Sequence, residues 1–297
     1  MPDRVLVTGA RGFVGRHLRA QLGEALVAFE GDVLDPEALA AAVREAKPTG
    51  VVHLAAESSV AGSWGDAARV WSVNVVGTAN VLEAVRRERP AARVVFPSTG
   101  EVYGRAERVP TPEDEPVAPV SPYAATKAAA EVACGQAARG WGLDVVVARA
   151  FAHEGPGRDE RFAVGSWTRQ IVSLEAQGGG TLLVGDLSAE RDLTDVRDVC
   201  RAYALLLEPS VSAGTYNVAS GRAVPMRHVL DLLLAHAEVP IEVEQEEARL
   251  RPAEVPRLAG DPSRLRAATG WGPEIPLERT LADALEAARQ AEVARVT

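Results

Sequence analysis

Tyr123 and Lys127 stand four residues apart in Tyr123-Ala124-Ala125-Thr126-Lys127, which puts a phenol and an ammonium on one face of a helix. The chain has 32 basic residues, and only Lys47 and Lys127 among them are lysine. A sequence that uses arginine almost everywhere keeps lysine here. A compact ammonium can hydrogen-bond ribose hydroxyls and lower a neighbouring phenol from its usual pKa of about 10 towards working pH. The pair is therefore a candidate for proton transfer at a substrate oxygen. Ser98-Thr99-Gly100-Glu101-Val102-Tyr103-Gly104 follows a run, Arg93 to Phe96, that reads as a strand. Thr99 can donate to a substrate oxygen there, and Glu101 can act as a base or orient substrate. Hydroxyls after strands are also common turn formers.

A second constellation lies near the start. Thr8-Gly9-Ala10-Arg11-Gly12-Phe13-Val14-Gly15 separates a first strand, Arg4 to Thr8, from a first helix. Glycines at 9, 12 and 15 permit a tight turn, close approach of backbone N–H groups to a pyrophosphate, and close helix packing. Gly9, Arg11, Gly12, Phe13, Val14 and Gly15 thus read as the phosphate edge of a dinucleotide site. Such a site needs a group for the adenosine ribose about 20 residues on. Glu30 closes the second strand and can accept from the ribose 2′-OH, which favours NAD over NADP. Asp32, in Gly31-Asp32-Val33, can contact the adenine edge instead.

These residues need elements to hold them. Short β-rich runs at Arg4 to Thr8, Ala25 to Phe29, Val51 to Leu54, Arg93 to Phe96 and Asp144 to Arg149 alternate with helical patterns. The helices span Gly9 to Leu22, a stretch opened by Asp35-Pro36-Glu37, about Ala67 to Arg89, and Ser121 to Arg139. This is the pattern of an α/β doubly wound parallel sheet. After residue 150 it loosens, with helical stretches at 195–208, 225–236 and 277–293. Residues 1–150 are read as the dinucleotide-binding domain. Residues 151–297 are read as a smaller, discontinuous substrate cap, with the chain returning to the first domain near 190–210.

Composition narrows the partners. With 32 basic and 41 acidic residues the net charge is −9, which argues against nucleic acid or an anionic membrane as the main partner. Two cysteines, Cys134 and Cys200, cannot build a disulfide framework, and no cluster has metal-ligand spacing. No run approaches a membrane span and the start does not read as a signal peptide, so a cytoplasmic protein is expected. His53 reads as a packed histidine, His153 as a more open one, and Asp195 and Asp198 as helix-start residues. Trp64 and Trp167 can wall a pocket, and Glu242 to Glu247 reads as solvated surface.

The glycine turn, His53-Leu54-Ala55-Ala56, Asn74-Val75-Val76-Gly77-Thr78, Ser98-Thr99 with Val102-Tyr103-Gly104, and Tyr123-xxx-Lys127 together resemble the extended short-chain dehydrogenase/reductases that act on nucleotide sugars. The resemblance covers essentially the whole chain. It implies a Rossmann-like fold with an α/β C-terminal cap, NAD(H) or NADP(H) as cofactor, and a homodimer pairing the helices at about 67–89 and 121–139. It implies Tyr123 as proton donor or acceptor, Lys127 as its electrostatic partner, Thr99 as the hydroxyl and Asn74 as support. It further places Val33, Leu54, Ala55, Ala56, Asn74, Ser98 and Ala150 along the cofactor.

The second half narrows the resemblance. Glu190-Arg191-Asp192-Leu193-Thr194-Asp195-Val196-Arg197-Asp198 and Leu250-Arg251-Pro252-Ala253-Glu254-Val255-Pro256 look like the GDP-sugar branch, which holds GDP-mannose 4,6-dehydratase and GDP-4-keto-6-deoxy-D-mannose reductase. Ser58-Ser59-Val60 with Ser63-Trp64 leans towards the reductase. Arg191 and Arg251 are then candidate phosphate forks, Glu254 a candidate ribose acceptor, and Ser58, Thr99, Glu101 and His153 candidate sugar contacts. The chain departs from these relatives in two places. It lacks their loop around the adenosine between Phe29 and Asp32, and Ala152 stands where they carry asparagine. The reading is an NAD(P)-dependent reductase of a 4-keto-6-deoxy nucleotide sugar, GDP-linked. The alternatives are a dehydratase or C4-epimerase that recycles tightly held cofactor, and a non-catalytic cofactor-binding protein.

Overall fold

A computed structural model describes residues 2–250 and 255–296. The first half alternates as β1 (Val5–Thr8), α1 (Phe13–Leu22), β2 (Leu26–Phe29), α2 (Pro36–Ala46), β3 (Gly50–His53), α3 (Ala67–Trp71), α4 (Gly77–Glu88), β4 (Arg93–Thr99), α5 (Pro122–Trp141) and β5 (Val145–Ala150). Side-chain caps set the helix starts. Asp35 accepts from the amides of Glu37 and Ala38 at 3.1 and 3.0 Å, and Ser121 accepts from that of Ala124 at 3.2 Å. The long helix expected from about Ala67 to Arg89 is interrupted. Between α3 and α4, Ser72–Val76 form a π-helical turn in which Asn74 is buried.

The second half adds β6 (Ala152–Glu154), α6 (Ala163–Gln177), β7 (Gly180–Val184), β8 (Glu190–Asp195), α7 (Val196–Leu206), β9 (Gly214–Val218), β10 (Ala223–Pro225), α8 (Met226–Leu234), β11 (Ile241–Gln245), β12 (Arg257–Leu258), α9 (Ser263–Thr269) and α10 (Leu277–Val296). The expected helical stretches are α7, α8 and α10, whereas α6, α9 and the short strands carry no clear periodicity. Part of the acidic stretch is strand β11, which pairs with β7 and turns Glu242 and Glu244 to solvent.

Six parallel strands form the main sheet in the order β2-β1-β3-β4-β5-β9. Helices cover both faces, so the strands read as continuous apolar runs. Val5 and Val7 pack with Leu18 of α1 and Tyr203 of α7. Leu6 packs on the other face with Leu39 of α2, Val81 of α4 and Cys134 of α5. Strand order reverses between β1 and β3, which opens a crevice beyond their carboxyl ends. A smaller layer of β6, β8, β10 and β12, with β7 and β11 paired beside it, has its own core of Trp167, Ile171, Leu182, Leu230 and Leu281. The halves interlace, since α7 packs on α1 and β9 extends the main sheet beyond β5. No helix among the described residues is long and apolar enough to cross a membrane.

Candidate active site

The turn after β1 and the segment after β3 meet at the switch point of the sheet. Gly9 has φ +70°, and a Cβ there would stand 2.7 Å from the Ala55 nitrogen. A Cβ on Gly15 would stand 2.5 Å from the Ala10 oxygen. Both neighbours are backbone and cannot swing aside, so only glycine lets these segments touch. Gly12 opens α1 without a side-chain cap, leaving the first helix amides available to an anion. Gly9, Arg11, Gly12, Phe13, Val14 and Gly15 line a cleft of about 990 Å³, with Leu54, Ala56, Ser58 and Ala150 also on its wall. This backbone cradle fits a pyrophosphate.

The adenosine end differs from expectation. The Glu30 carboxylate meets Arg11 Nε at 2.9 Å on the surface, and Arg11 lines the cleft while Glu30 does not. Asp32 accepts from the Leu34 amide at 2.9 Å and closes a local turn. Val33 is buried against Gly77, and its carbonyl accepts from Asn80 Nδ2 at 3.0 Å. Asp32 and Val33 therefore build the shortened connection after β2 rather than the cleft wall. Ala55 lies behind the wall, its amide donating to Thr8 Oγ1 at 3.2 Å. Asn74 lies behind it too. Its Nδ2 donates to the Glu57 carbonyl at 3.1 Å and to Thr126 Oγ1 at 3.0 Å, and its Oδ1 accepts from the Glu57 amide at 2.9 Å. With both amide hydrogens used, Asn74 braces the segment after β3 against α5 and has none for a cofactor.

Tyr123 and Lys127, one turn apart on α5, line the same cleft as Ser98, Thr99 and Glu101 from the end of β4. Thr99 Oγ1 accepts from the Glu101 amide at 3.2 Å, and Ser98 Oγ donates to Glu131 at 2.5 Å. Lys127 Nζ lies 4.2 Å from the centre of the Phe96 ring. The expected lowering of the phenol does not occur. Burial pushes Tyr123 up to about 12, helped by the Glu101 charge and only partly offset by the Thr99 hydroxyl and Arg158. Burial likewise pushes Lys127 down to about 8, against the pull of Cys134 and Glu131. Burial disfavours both charged forms, so Tyr123 holds its proton at neutral pH.

The cap supplies the opposite wall. His153 Nδ1 donates to the Phe151 carbonyl at 3.0 Å, and its ring stacks on Phe13 at 6.2 Å. Burial and the Arg158 charge lower it to about 4, so it is neutral. Arg191, buried on β8, lines the cleft and donates from Nη1 to the Glu190 carbonyl at 2.8 Å. Trp64 and Trp167 also line it. His53 is instead enclosed between the hydroxyls of Thr8 and Thr78, at 2.7 and 3.1 Å, and burial pushes it down to about 3. Arg251 and Glu254 lie outside the described residues.

Residues 19–284 match the family model for GDP-mannose 4,6 dehydratase. The chain belongs to this family. It is 38% identical to the GDP-6-deoxy-D-mannose reductase of Pseudomonas aeruginosa over 95% of each chain. The structure of RMD from Pseudomonas aeruginosa complexed with NADPH matches with a TM-score of 0.89 at 37% identity, covering 97% of this chain and 99% of that one. A Thermus thermophilus UDP-glucose 4-epimerase in complex with NAD matches at 0.86 and 31% identity, with 97% and 99% covered.

In this member of the GDP-mannose 4,6-dehydratase family the cleft holds two residues that sequence reasoning passed over. Arg158 Nε lies 3.4 Å from Glu154 Oε2, and the guanidinium stands 3.6 Å from the centre of the Phe162 ring and 4.8 Å from that of Phe13. Burial pushes Glu154 up to about 7 and Arg158 down. The only signal in the sequence is their spacing of four across Gly155-Pro156-Gly157, in a stretch with no helical period to give it meaning.

Proposed function

We propose that this chain is an NADH- or NADPH-dependent reductase of a GDP-linked 4-keto-6-deoxy sugar. The observation that carries the reading is one cleft in which the glycine turn, Thr99, Tyr123 and Lys127 converge, in a chain 38% identical along nearly its whole length to a GDP-6-deoxy-D-mannose reductase. When bound, the dinucleotide supplies a hydride to the C4 carbonyl of the sugar. Tyr123 gives its phenolic proton to the incipient alkoxide, so the ketone gains one hydride and one proton. Because burial holds the phenol protonated, the site is poised as an acid. Thr99 donates to the same oxygen, Lys127 holds ribose hydroxyls, and Glu101 orients the sugar ring. Leu54, Ala56, Ser98 and Ala150 line the cofactor, and Ser58 and His153 line the sugar.

Residues 1–150 hold the cofactor and residues 151–297 the nucleotide sugar in this reading, with Arg191 and Arg251 as bidentate partners for the diphosphate. The protein works in the cytoplasm as a homodimer joined through α3, α4 and α5, where Val76 of the π turn between α3 and α4 and Val132 of α5 are exposed at 51% and 69%.

The test is product mass after incubation with NADPH and GDP-, UDP- or dTDP-linked 4-keto-6-deoxy sugars. A gain of two hydrogens matched by NADPH oxidation, strongest with the GDP sugar, is expected. Preference for a pyrimidine nucleotide would refute the GDP assignment. The family model favours one second reading, dehydration of GDP-mannose, in which Glu101 takes the C5 proton. Incubation with GDP-mannose in place of the keto sugars, giving loss of water without net NADPH oxidation and Glu101-dependent deuterium uptake at C5, would establish it instead.

The Arg11–Glu30 pair makes a prediction about cofactor choice. A carboxylate accepts from a 2′-OH, and a guanidinium takes a 2′-phosphate. An exposed pair is worth about 0–1 kcal/mol and so opens easily. Glu30→Gln frees Arg11 and should shift the KM ratio about three- to tenfold towards NADPH, read from steady-state kinetics with both cofactors. A shift towards NADH would show that Glu30 does not face the ribose.

A further inference from the structure

Behind the catalytic wall lies a charged cluster that the proposed chemistry does not use. Glu131 sits one helical turn after Lys127 on α5. Arg149 of β5 grips it in bidentate fashion, with Nη2 at 2.7 Å from Oε2 and Nε at 3.1 and 3.2 Å from Oε1 and Oε2. Ser98 of β4, which lines the cleft, donates to Glu131 Oε1. Both members of the ion pair are buried, with side-chain exposures of 8% and 10%. Arg149 is held in turn by the Glu113 carbonyl at 3.2 Å and by the Tyr103 ring at 4.7 Å, and the Tyr103 hydroxyl donates to Asn217 of β9 at 2.8 Å. One carboxylate therefore ties α5, β4 and β5 together directly beneath Ser98 and Lys127.

We infer that Glu131 is a positioning residue: balanced by Arg149, it fixes the Ser98 hydroxyl in the cleft wall and sets the charge on Lys127. A buried ion pair of this kind is a poor source of stability compared with apolar packing, so its placement beside a buried ammonium needs another reason. Lys127 is 4% exposed, and water does little to hold its proton. Glu131 and Cys134 on its own helix and His53 from β3 act on it, Tyr123 precedes it by one turn, and the Phe96 ring of β4 lies 4.2 Å from its Nζ. The charged residues of α3 and α4, namely Arg69, Glu83, Arg86, Arg87 and Glu88, are not buried. Burial holds Tyr123 and Cys134 up at about 12 and His53 down at about 3, so none of these three changes charge where Lys127 does. Burial lowers Lys127, and the Glu131 carboxylate, itself paired with Arg149, is the neighbouring charge that opposes this.

This inference rests on the proposed role of Lys127, but its decisive measurement does not. The chain has only two lysines, and Lys47 is exposed, so ε-¹³C-lysine labelling gives two NMR signals with an internal reference. In the wild type the Lys127 midpoint should lie near 8. Glu131→Gln leaves the Arg149 charge unbalanced and should move the midpoint down by about one unit, a tenfold fall in the ratio of ammonium to amine. Arg149→Met leaves the carboxylate for Lys127 and should move it up. The double variant should fall between the two. The alkaline limb of kcat should follow the same order. If Glu131→Gln does not fold, the direction of the Arg149→Met shift decides alone. Equal Lys127 midpoints in folded variants would overturn the inference and leave the reductase reading standing. Absence of NADPH turnover in the wild type would remove that reading without touching the titration.

Discussion

Tyr123→Phe should lower kcat by about 10²- to 10⁴-fold, the usual cost of losing a positioned acid, and leave NADPH affinity nearly unchanged. The backbone at this position is held independently of the hydroxyl: Tyr123 is the second residue of α5, and its amide donates to Ser63 Oγ at 3.2 Å. In the proposed reading the cofactor phosphates are held elsewhere, at the glycine turn. The two measurements, steady-state kcat and NADPH fluorescence titration, therefore separate. Retention of near wild-type kcat would show that the proton comes from another group, and Glu101 or water would have to supply it. The pH profile adds a second check. Tyr123 is held up at about 12 and Lys127 down at about 8, so the fall in kcat on the alkaline side belongs to Lys127 losing its charge. A limb lying near 12 with none near 8 would reverse that assignment.

The sequence shows most of the cofactor half and little of the cap, for physical reasons. Strands buried on both faces are continuous apolar runs, and Asp35 and Ser121 announce α2 and α5 through capping. The glycine turn is legible because positions 9 and 15 touch backbone, where no other residue fits. The charges are less legible. From sequence, Lys127 beside Tyr123 suggests a lowered phenol, but dehydration of the site outweighs one ammonium that is itself pushed towards neutrality. Asn74 is legible as support and not as a ligand once its partners are seen, because the π turn that aims it inward leaves no mark in the periodicity. Glu131 and Arg149 lie on separate elements, and only the sheet register that sets Ser98 opposite Arg149 brings them together. In the cap, α6 and the short strands β6 to β8 and β10 to β12 are set by tertiary pairing, and their sequences alone do not distinguish them from loop.

Gly15→Ala should weaken NADPH binding by about 10- to 100-fold, equivalent to about 1.4–2.7 kcal/mol, while GDP affinity stays near that of the wild type. Gly15 is in the first turn of α1, and its φ is acceptable to alanine, so the effect is purely steric. The new Cβ would stand 2.5 Å from the Ala10 oxygen and 2.6 Å from its Cα. Relief requires either Ala10 to move, which distorts the glycine turn, or α1 to back away, which withdraws the Phe13 and Val14 amides from the pyrophosphate. Either way overpacking also costs about 1–3 kcal/mol of stability, visible as a lower Tm. The proposed GDP site should be spared because Arg191 is on β8 in the other layer. Gly272→Ala is the matched control, since a Cβ there meets nothing within 4 Å. It should leave both affinities and Tm unchanged. Wild-type NADPH affinity in Gly15→Ala would mean that the close packing of α1 on the turn does not hold the cofactor, and the phosphate site would have to be sought at another helix start.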